Sequence, residues 1–345
     1  MKRVELVKTL ELLKPALADN NMVPVYQCFM FSGETVTATN DQIAIIAKCK
    51  TEQPFAVKGD ILFGLLSNSR AEDVTFTLET HDCVIKAAKS TWRLPYLYKD
   101  AFLFEDPKFS TDTRLPIDAE FLEGLQACLL TSSKDNTQPA LMGVTLHGGA
   151  TLFSCDGDAV TRSVQRVQGN NEPDRLMPNG FCEAVVKVAI DSGAKSGSLL
   201  LGGEWVSAVF SSGYLVYGRI VKVDKPIDHN KLISDTLTVK NARPKYQPIP
   251  KGLDNALSRA RVVADPETGK TVLTVEGNRL KLTTETSVGV VRDSVPIGNH
   301  EPVTANVSAA LVQRAISLCD KIAILENCCA FNSNSGLFTL LSNMN

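Results

Sequence analysis

Residues 119–130, Ala119-Glu120-Phe121-Leu122-Glu123-Gly124-Leu125-Gln126-Ala127-Cys128-Leu129-Leu130, decide the fold. Phe121, Leu122, Leu125 and Leu129 recur at three- and four-residue steps, the spacing that lines one face of an α-helix. The period then drops to two. Residues 142–146 and 151–155 read as strands flanking the His147-Gly148-Gly149 turn, and 159–167 reads as a third strand. A helix that cannot cover its own apolar stripe, followed by strands apolar on one face, folds by laying helix on sheet.

The same succession lies on both sides of this stretch. Leu6, Leu10, Leu13 and Leu17 predict a helix over 4–17 that kinks or ends near Pro15 and is closed by Asp19-Asn20-Asn21. Strands are expected at 25–31, 35–39 and 43–49, a helix at 58–66, and strands at 73–78, 83–87 and 91–97. Downstream, a helix at 180–190 precedes three strands ending near Val223. A helix at 252–263, striped by Leu253, Ala256, Leu257 and Ala260, precedes strands at 271–275, 279–283 and 288–295. A helix at 307–319 leads to final strands around Ile322, Cys329 and Leu337. The unit opens near Leu6, Val57, Leu122, Phe181, Leu253 and Val307, six times at roughly even intervals. Glu105-Asp106-Pro107-Lys108 and Asp224-Lys225-Pro226 read as joints, the second followed by a polar, Pro-rich stretch through Pro250. The expected class is α+β: three similar domains, 1–107, 108–230 and 231–345, each a pair of helix-plus-antiparallel-sheet repeats.

Bulk properties bound the function. Lys and Arg total 36 against 38 Asp and Glu, a net charge of -2, which argues against a surface coated throughout in positive charge but leaves room for one basic face. Nine cysteines without CxxC spacing read as reduced thiols. The opening Met1-Lys2-Arg3-Val4-Glu5 places acid too early for a secretory signal, and no apolar run approaches the roughly 18 residues of a membrane span. A cytoplasmic protein with no membrane contact is expected.

Motifs for chemistry are weak. Thr268-Gly269-Lys270-Thr271 has the end of a phosphate-binding loop, but its upstream glycine position is Ala264 and it joins helix to strand. Asp156-Gly157-Asp158 reads as a turn rather than a cation site. His81, His147, His229 and His300 lie singly, with no zinc spacing, and no nucleophile elbow is present. No catalytic residue, metal or cofactor is expected.

Leu12-Leu13-Lys14-Pro15-Ala16-Leu17, then Leu141-Met142-Gly143 followed by Cys155-Asp156-Gly157-Asp158-Ala159-Val160, resemble the first helix and the second-domain strand and turn of the bacterial DNA polymerase III beta subunit, the sliding clamp. The likeness spans the chain in order and spacing. It implies a head-to-tail homodimer closing into a ring, helices on the inner face around double-stranded DNA, held without sequence reading and without catalysis. The inner-face candidates are Lys8, Lys14, Lys58, Arg70, Lys134, Lys187, Lys195, Lys251, Arg259, Arg261 and Arg314; each alone also reads as an ordinary solvated helix face. The family's second-domain DNA-contact positions are Asp135, Pro139, Ala140 and Gly180 here.

The resemblance also implies a hydrophobic groove between domains 2 and 3 that takes a short apolar peptide of the DNA polymerase and the clamp loader. Its positions are Leu141, Cys155, Gly157, Val160, Pro226, Leu340 and Leu341, with Met344 nearby. Leu141 and Val160 equally read as core. The family's His-Arg pair after the turn is Asp158-Ala159 here, and the tail Leu340-Leu341-Ser342-Asn343-Met344-Asn345 lacks its Met-Pro-Met pattern, so partner preference is expected to differ. Trp92 matches a dimer-contact aromatic facing Val262-Val263 of the other subunit, and also reads as edge-strand packing. Two alternatives stand beside the clamp: a recruitment scaffold that does not load on DNA, and a nucleotide-dependent enzyme using residues 264–271.

Overall fold

Among the described residues a short strand stands before five of the seven helices, and this strand, which periodicity does not signal, organises the architecture. The computed structural model describes all residues except 20–21, 110–112, 136, 166–172, 195, 239–243, 266–268, 299–300, 327 and 343–345. Its elements follow one order, strand, helix, three strands, six times over. In the first copy the leading strand is reduced to the bridge between Lys2 and Asp73. There follow α1 (Arg3–Leu13), β1 (Cys28–Phe31), β2 (Thr35–Thr39) and β3 (Ile43–Lys48). The second copy is β4 (Phe55–Lys58), α2 (Gly59–Ser67), β5 (Val74–Leu78), β6 (Asp82–Ala87) and β7 (Ser90–Leu97). The third is β8 (Arg114–Ile117), α3 (Ala119–Leu129), β9 (Gly143–His147), β10 (Thr151–Cys155) and β11 (Ala159–Val164). The fourth is β12 (Arg175–Pro178), α4 (Asn179–Asp191), β13 (Gly197–Leu201), β14 (Trp205–Phe210) and β15 (Leu215–Arg219). A helix outside the repeat, α5 (His229–Thr238), comes next. The fifth copy is β16 (Gln247–Pro248), α6 (Leu253–Val263), β17 (Lys270–Glu276), β18 (Arg279–Thr286) and β19 (Gly289–Pro296). The sixth is β20 (Val303–Ser308), α7 (Ala309–Leu318), β21 (Lys321–Leu325), β22 (Cys328–Asn332) and β23 (Leu337–Ser342).

The residues form two compact units, 1–119 with 177–220, and 120–176 with 221–345. In unit 1, β4 pairs with β1 and β8 with β13, while Lys2 bridges to Asp73 beside β5. In the strand order β12 lies beside β9, and in unit 2 β16 pairs with β21 and β20 with β17. Each leading strand thus pairs with the first of the three strands of another copy. The third strands make a second kind of junction: β3 pairs with β15 in unit 1, Ala44 opposite Tyr217, and β11 with β23 in unit 2, Val160 opposite Leu340. All pairings are antiparallel, in sheets of 11, 8 and 4 strands.

Helices cover the sheets as their stripes require. Leu6, Leu10 and Leu13 of α1 are buried, each contributing about 1.5–3 kcal/mol relative to exposure. Pro15 cannot donate to the ladder, so α1 ends at Leu13, tightens into a 3-10 turn over Lys14–Ala16 and leaves Leu17 extended. The α6 stripe is buried at all four expected positions, and α7 lays Ala309, Val312 and Ala315 into the same core.

The differences from expectation have physical causes. Residues 25–27 form a 3-10 turn begun at Pro24, so β1 starts only at Cys28. Lys58 and Val307 belong to leading strands, and their helices start at Gly59 and Ala309. At the latter junction the Ser308 hydroxyl caps the helix by accepting from the Leu311 N–H. The Pro-rich stretch contains α5, whose start is tied by Asp228 accepting from the Lys231 N–H at 2.9 Å. No described helix is long and apolar enough to cross a membrane.

Candidate partner groove, basic residues and open sheet edges

The groove candidates grow from one turn. Between β10 and β11 the Asp156 carboxylate accepts from the N–H groups of Asp158 at 3.0 Å and Ala159 at 2.7 Å, folding the chain back on itself. Burial pushes the Asp156 carboxyl up, opposed by those two backbone bonds. Gly157 holds φ +101°, backbone that side chains disfavour. Because side chains alternate along strands, Cys155, Val160 and Leu340 emerge on one sheet face with Phe153, Ala330 and Phe338, and half-buried Leu141 packs against them. Ile233 and Leu237 of α5 lie on the same apolar cluster.

The structure therefore brings Leu141, Cys155, Val160 and Leu340 together. Leu341 points the other way, into the core with α6 and α7. Gly157 is exposed at the turn. Pro226 lines an adjoining recess with His147, Phe153, Asp228 and His229, linked to the cluster through Phe153. Met344 lies outside the described residues. Burial pushes the Cys155 thiol up, so this sulfur is a neutral packing group. Sequence reading missed α5, whose signal was Asp228 as a cap with Ile233 and Leu237 one turn apart.

Charge candidates divide by what already holds them. Lys8, Lys58, Arg70, Lys134 and Lys251 are exposed, with no carboxylate partner among the described residues. The Lys14 ammonium sits 4.6 Å from the Phe63 ring centre. Lys187 pairs with Asp191 at 2.7 Å, and Arg259 grips Asp293 through two bonds of 2.9 Å. That fork holds the Asp293 carboxyl below its usual range, against a smaller opposing effect of desolvation. Arg261 donates to Gln313 at 2.7 Å and Arg314 to the Leu130 carbonyl at 3.3 Å, both retaining net charge. Lys195 lies outside the described residues.

Asp135 accepts from the backbone and hydroxyl of Thr137, bonds that lower its pKa, and Pro139 and Ala140 form a 3-10 turn. Gly180 packs on Ile43. Thr271 is buried and bonded to Thr284 at 2.7 Å, while residues 266–268 of the phosphate-loop-like segment fall outside the described residues. Among the described residues, no group of three or more His, Cys, Asp or Glu is placed to hold a metal.

Among the described residues, two of the six third strands, β7 and β19, keep a free edge. β7 pairs with β6 along Ser90–Pro95 and with β4 only through Tyr96 and Leu97. Half-buried Trp92 stands opposite Ile85 in that first stretch. β19 pairs with β18 over its whole length and with no other described strand. Beside it, Val262 is 80%, Val288 82% and Val290 47% exposed. Val263 is half-buried over Gly289.

No family model matches the sequence, and no curated protein matches it. Solved structures do match in three dimensions. The DNA polymerase III beta subunit of Thermotoga maritima superposes with a TM-score of 0.86 at 19% identity, covering 100% of this chain and 98% of that one. The sliding clamp of Bartonella birtlesii, solved bound to griselimycin, gives 0.86 at 16% identity with 100% and 98% covered. The beta subunit of Pseudomonas aeruginosa gives 0.84 at 13% identity with 100% and 99% covered. Across its full length, this chain has the fold of the bacterial DNA sliding clamp.

Proposed function

We propose that this protein is a DNA sliding clamp, a cytoplasmic processivity factor without catalytic activity or cofactor. Its three domains, 1–107, 108–230 and 231–345, would join a second copy head to tail around duplex DNA. The observation that carries this reading is the pairing rule. Third strands meet third strands at β3–β15 and β11–β23, and β7 and β19 are the two third strands left with an open side. Pairing β7 of one copy with β19 of the next repeats the same junction. Its two surfaces differ, so the contact is heterologous and yields a ring when the rotation closes. Trp92 and the exposed valines supply the apolar core of that contact.

A ring stays on DNA by topology, so strong attraction is unnecessary and hinders sliding. A net charge of -2 with a limited set of uncompensated Lys and Arg suits weak, phosphate-only contact. Arg259 and Lys187, already bound to carboxylates, contribute less to it. The apolar face around Leu141, Val160 and Leu340 would capture peptides of the DNA polymerase and clamp loader. The decisive experiment loads the protein on nicked circular DNA and washes with salt. It is expected to stay on the circle and to leave when the circle is linearised; equal retention on both forms overturns the reading. The acidic and small residues at Asp135 and Gly180 favour a second reading, a recruitment scaffold that never loads, for which retention would be absent on both forms.

A further inference from the structure

The β11–β23 junction that carries the candidate groove has a counterpart in unit 1, and the two correspond atom for atom at their turns. Asn40 Oδ1 accepts from the N–H groups of Gln42 and Ile43, as Asp156 accepts from Asp158 and Ala159. Asp41 holds φ 74° where Gly157 holds 101°. The Thr39 hydroxyl accepts from Asp41 N–H at 3.3 Å, and the Cys155 sulfur from Gly157 N–H at 3.4 Å. The next pairs align in register: Ala44 faces Tyr217 as Val160 faces Leu340, and Ile46 faces Leu215 as Arg162 faces Phe338.

The unit 1 junction is not vacant. Ala44, Ile46 and Tyr217 form an apolar cluster against which Phe104, Phe109 and Trp205 pack. Phe104 meets Trp205 edge-on at 6.0 Å and Tyr217 at 5.5 Å; Phe109 stacks over Tyr217 at 6.1 Å. Phe109 also rests on Gly202, where any Cβ would come within 3.0 Å of its ring. The occupying segment, Phe104-Glu105-Asp106-Pro107-Lys108-Phe109, lies outside any helix or strand and has two aromatic anchors, exposed charges between them and a proline that restrains the chain.

We propose that residues 104–109 are a built-in peptide ligand that fills the unit 1 counterpart of the partner groove. The unit 1 face is covered by this strap, while the unit 2 face, on which Ile233 and Leu237 of α5 pack, is the candidate partner groove, so the chain presents one peptide-binding groove where its repeats make two. The strap also shows what such a junction accepts: a peptide with two bulky aromatic side chains five positions apart. This second point rests on the groove reading above. Being tethered, the strap competes at an effective concentration in the millimolar range, so a free peptide binding with micromolar affinity is outcompeted by roughly a hundredfold or more.

The test uses a fluorescent peptide with the sequence of residues 102–109, titrated into full-length protein by anisotropy. In a Val160→Asp background, which disables the unit 2 groove, the intact strap should leave no measurable binding. Adding Phe104→Ala and Phe109→Ala should create binding with apparent affinity roughly a hundredfold higher. Absence of that gain in a folded triple variant, judged by circular dichroism, overturns the proposal. If the triple variant does not fold, Phe104→Ala with Val160→Asp is measured instead, and a gain below about tenfold overturns it equally. The groove reading fails separately: wild type and Val160→Asp would bind the peptide alike, whatever the strap variants do.

Discussion

At Gly218 on β15 the methyl group of alanine would sit 2.6 Å from Cβ and Cγ of Phe181, a fully buried ring on α4. Gly218→Ala is expected to destabilise by about 1–3 kcal/mol through overpacking, read as a lower urea midpoint with an unchanged slope. Gly157 is a different case. A Cβ there meets nothing within 4 Å, yet its φ of +101° makes Gly157→Val costly by about 1–2 kcal/mol or more. Gly157→Asn should cost less, since Asp41 already occupies the counterpart turn at φ 74°. The turn glycine was legible in the sequence because Asp-Gly-Asp is turn chemistry. Gly218 was not, since its requirement comes from a helix that packs there only in the folded chain. Leu341 teaches the same lesson: its neighbour Leu340 reaches the groove face, and only the register of β23 decides which of the two does.

Among elements, α5 begins on a buried histidine. His229 is buried and stacks on Phe153 at 5.1 Å; burial lowers its pKa from the ordinary 6.5, partly opposed by Asp174 and Asp228, while His147 adds to the lowering. The unfolded chain therefore binds this proton more readily. Stability from neutral His229 is fully present above pH 6.5 and is lost as pH falls through the lower folded value. Urea midpoints should fall between about pH 7.5 and about pH 5, and His229→Phe, keeping the ring stack, should flatten that loss. An unchanged slope in the variant would assign the acid sensitivity elsewhere. The six helices of the repeat were legible because each carries a stripe over several turns, whereas α5, inside a Pro-rich polar stretch, was not. The leading strands β4, β8, β12, β16 and β20 were not: several have four residues or fewer, Pro116 and Pro178 interrupt strand signals, and their partners lie in other copies. Without them the repeat reads as helix plus three strands, and the exchange that ties copies together stays hidden.

For the whole molecule, the pairing rule underlies the proposed assembly. An exposed strand edge rimmed by valines is a liability unless something covers it, and β19 carries none of the bulges or prolines along its middle that natural edges use for protection. Its proposed cover is β7 of another copy, with Trp92 meeting Val262 and Val263. If so, the wild-type protein sediments at twice the 37.4 kDa chain mass at micromolar concentration. Val262→Asp with Val290→Lys places unlike charges on side chains that are 80% and 47% exposed in the single chain. Their effect on the unfolding of one chain should stay within about 0.5 kcal/mol per site, as for other surface substitutions. In the dimer the same charges would be desolvated inside an apolar contact, a far larger cost, so the variant should sediment as a single chain and lose retention on circular DNA together. A variant that stays dimeric would move the contact away from β19. One that becomes monomeric yet remains on the circle would separate DNA binding from encirclement.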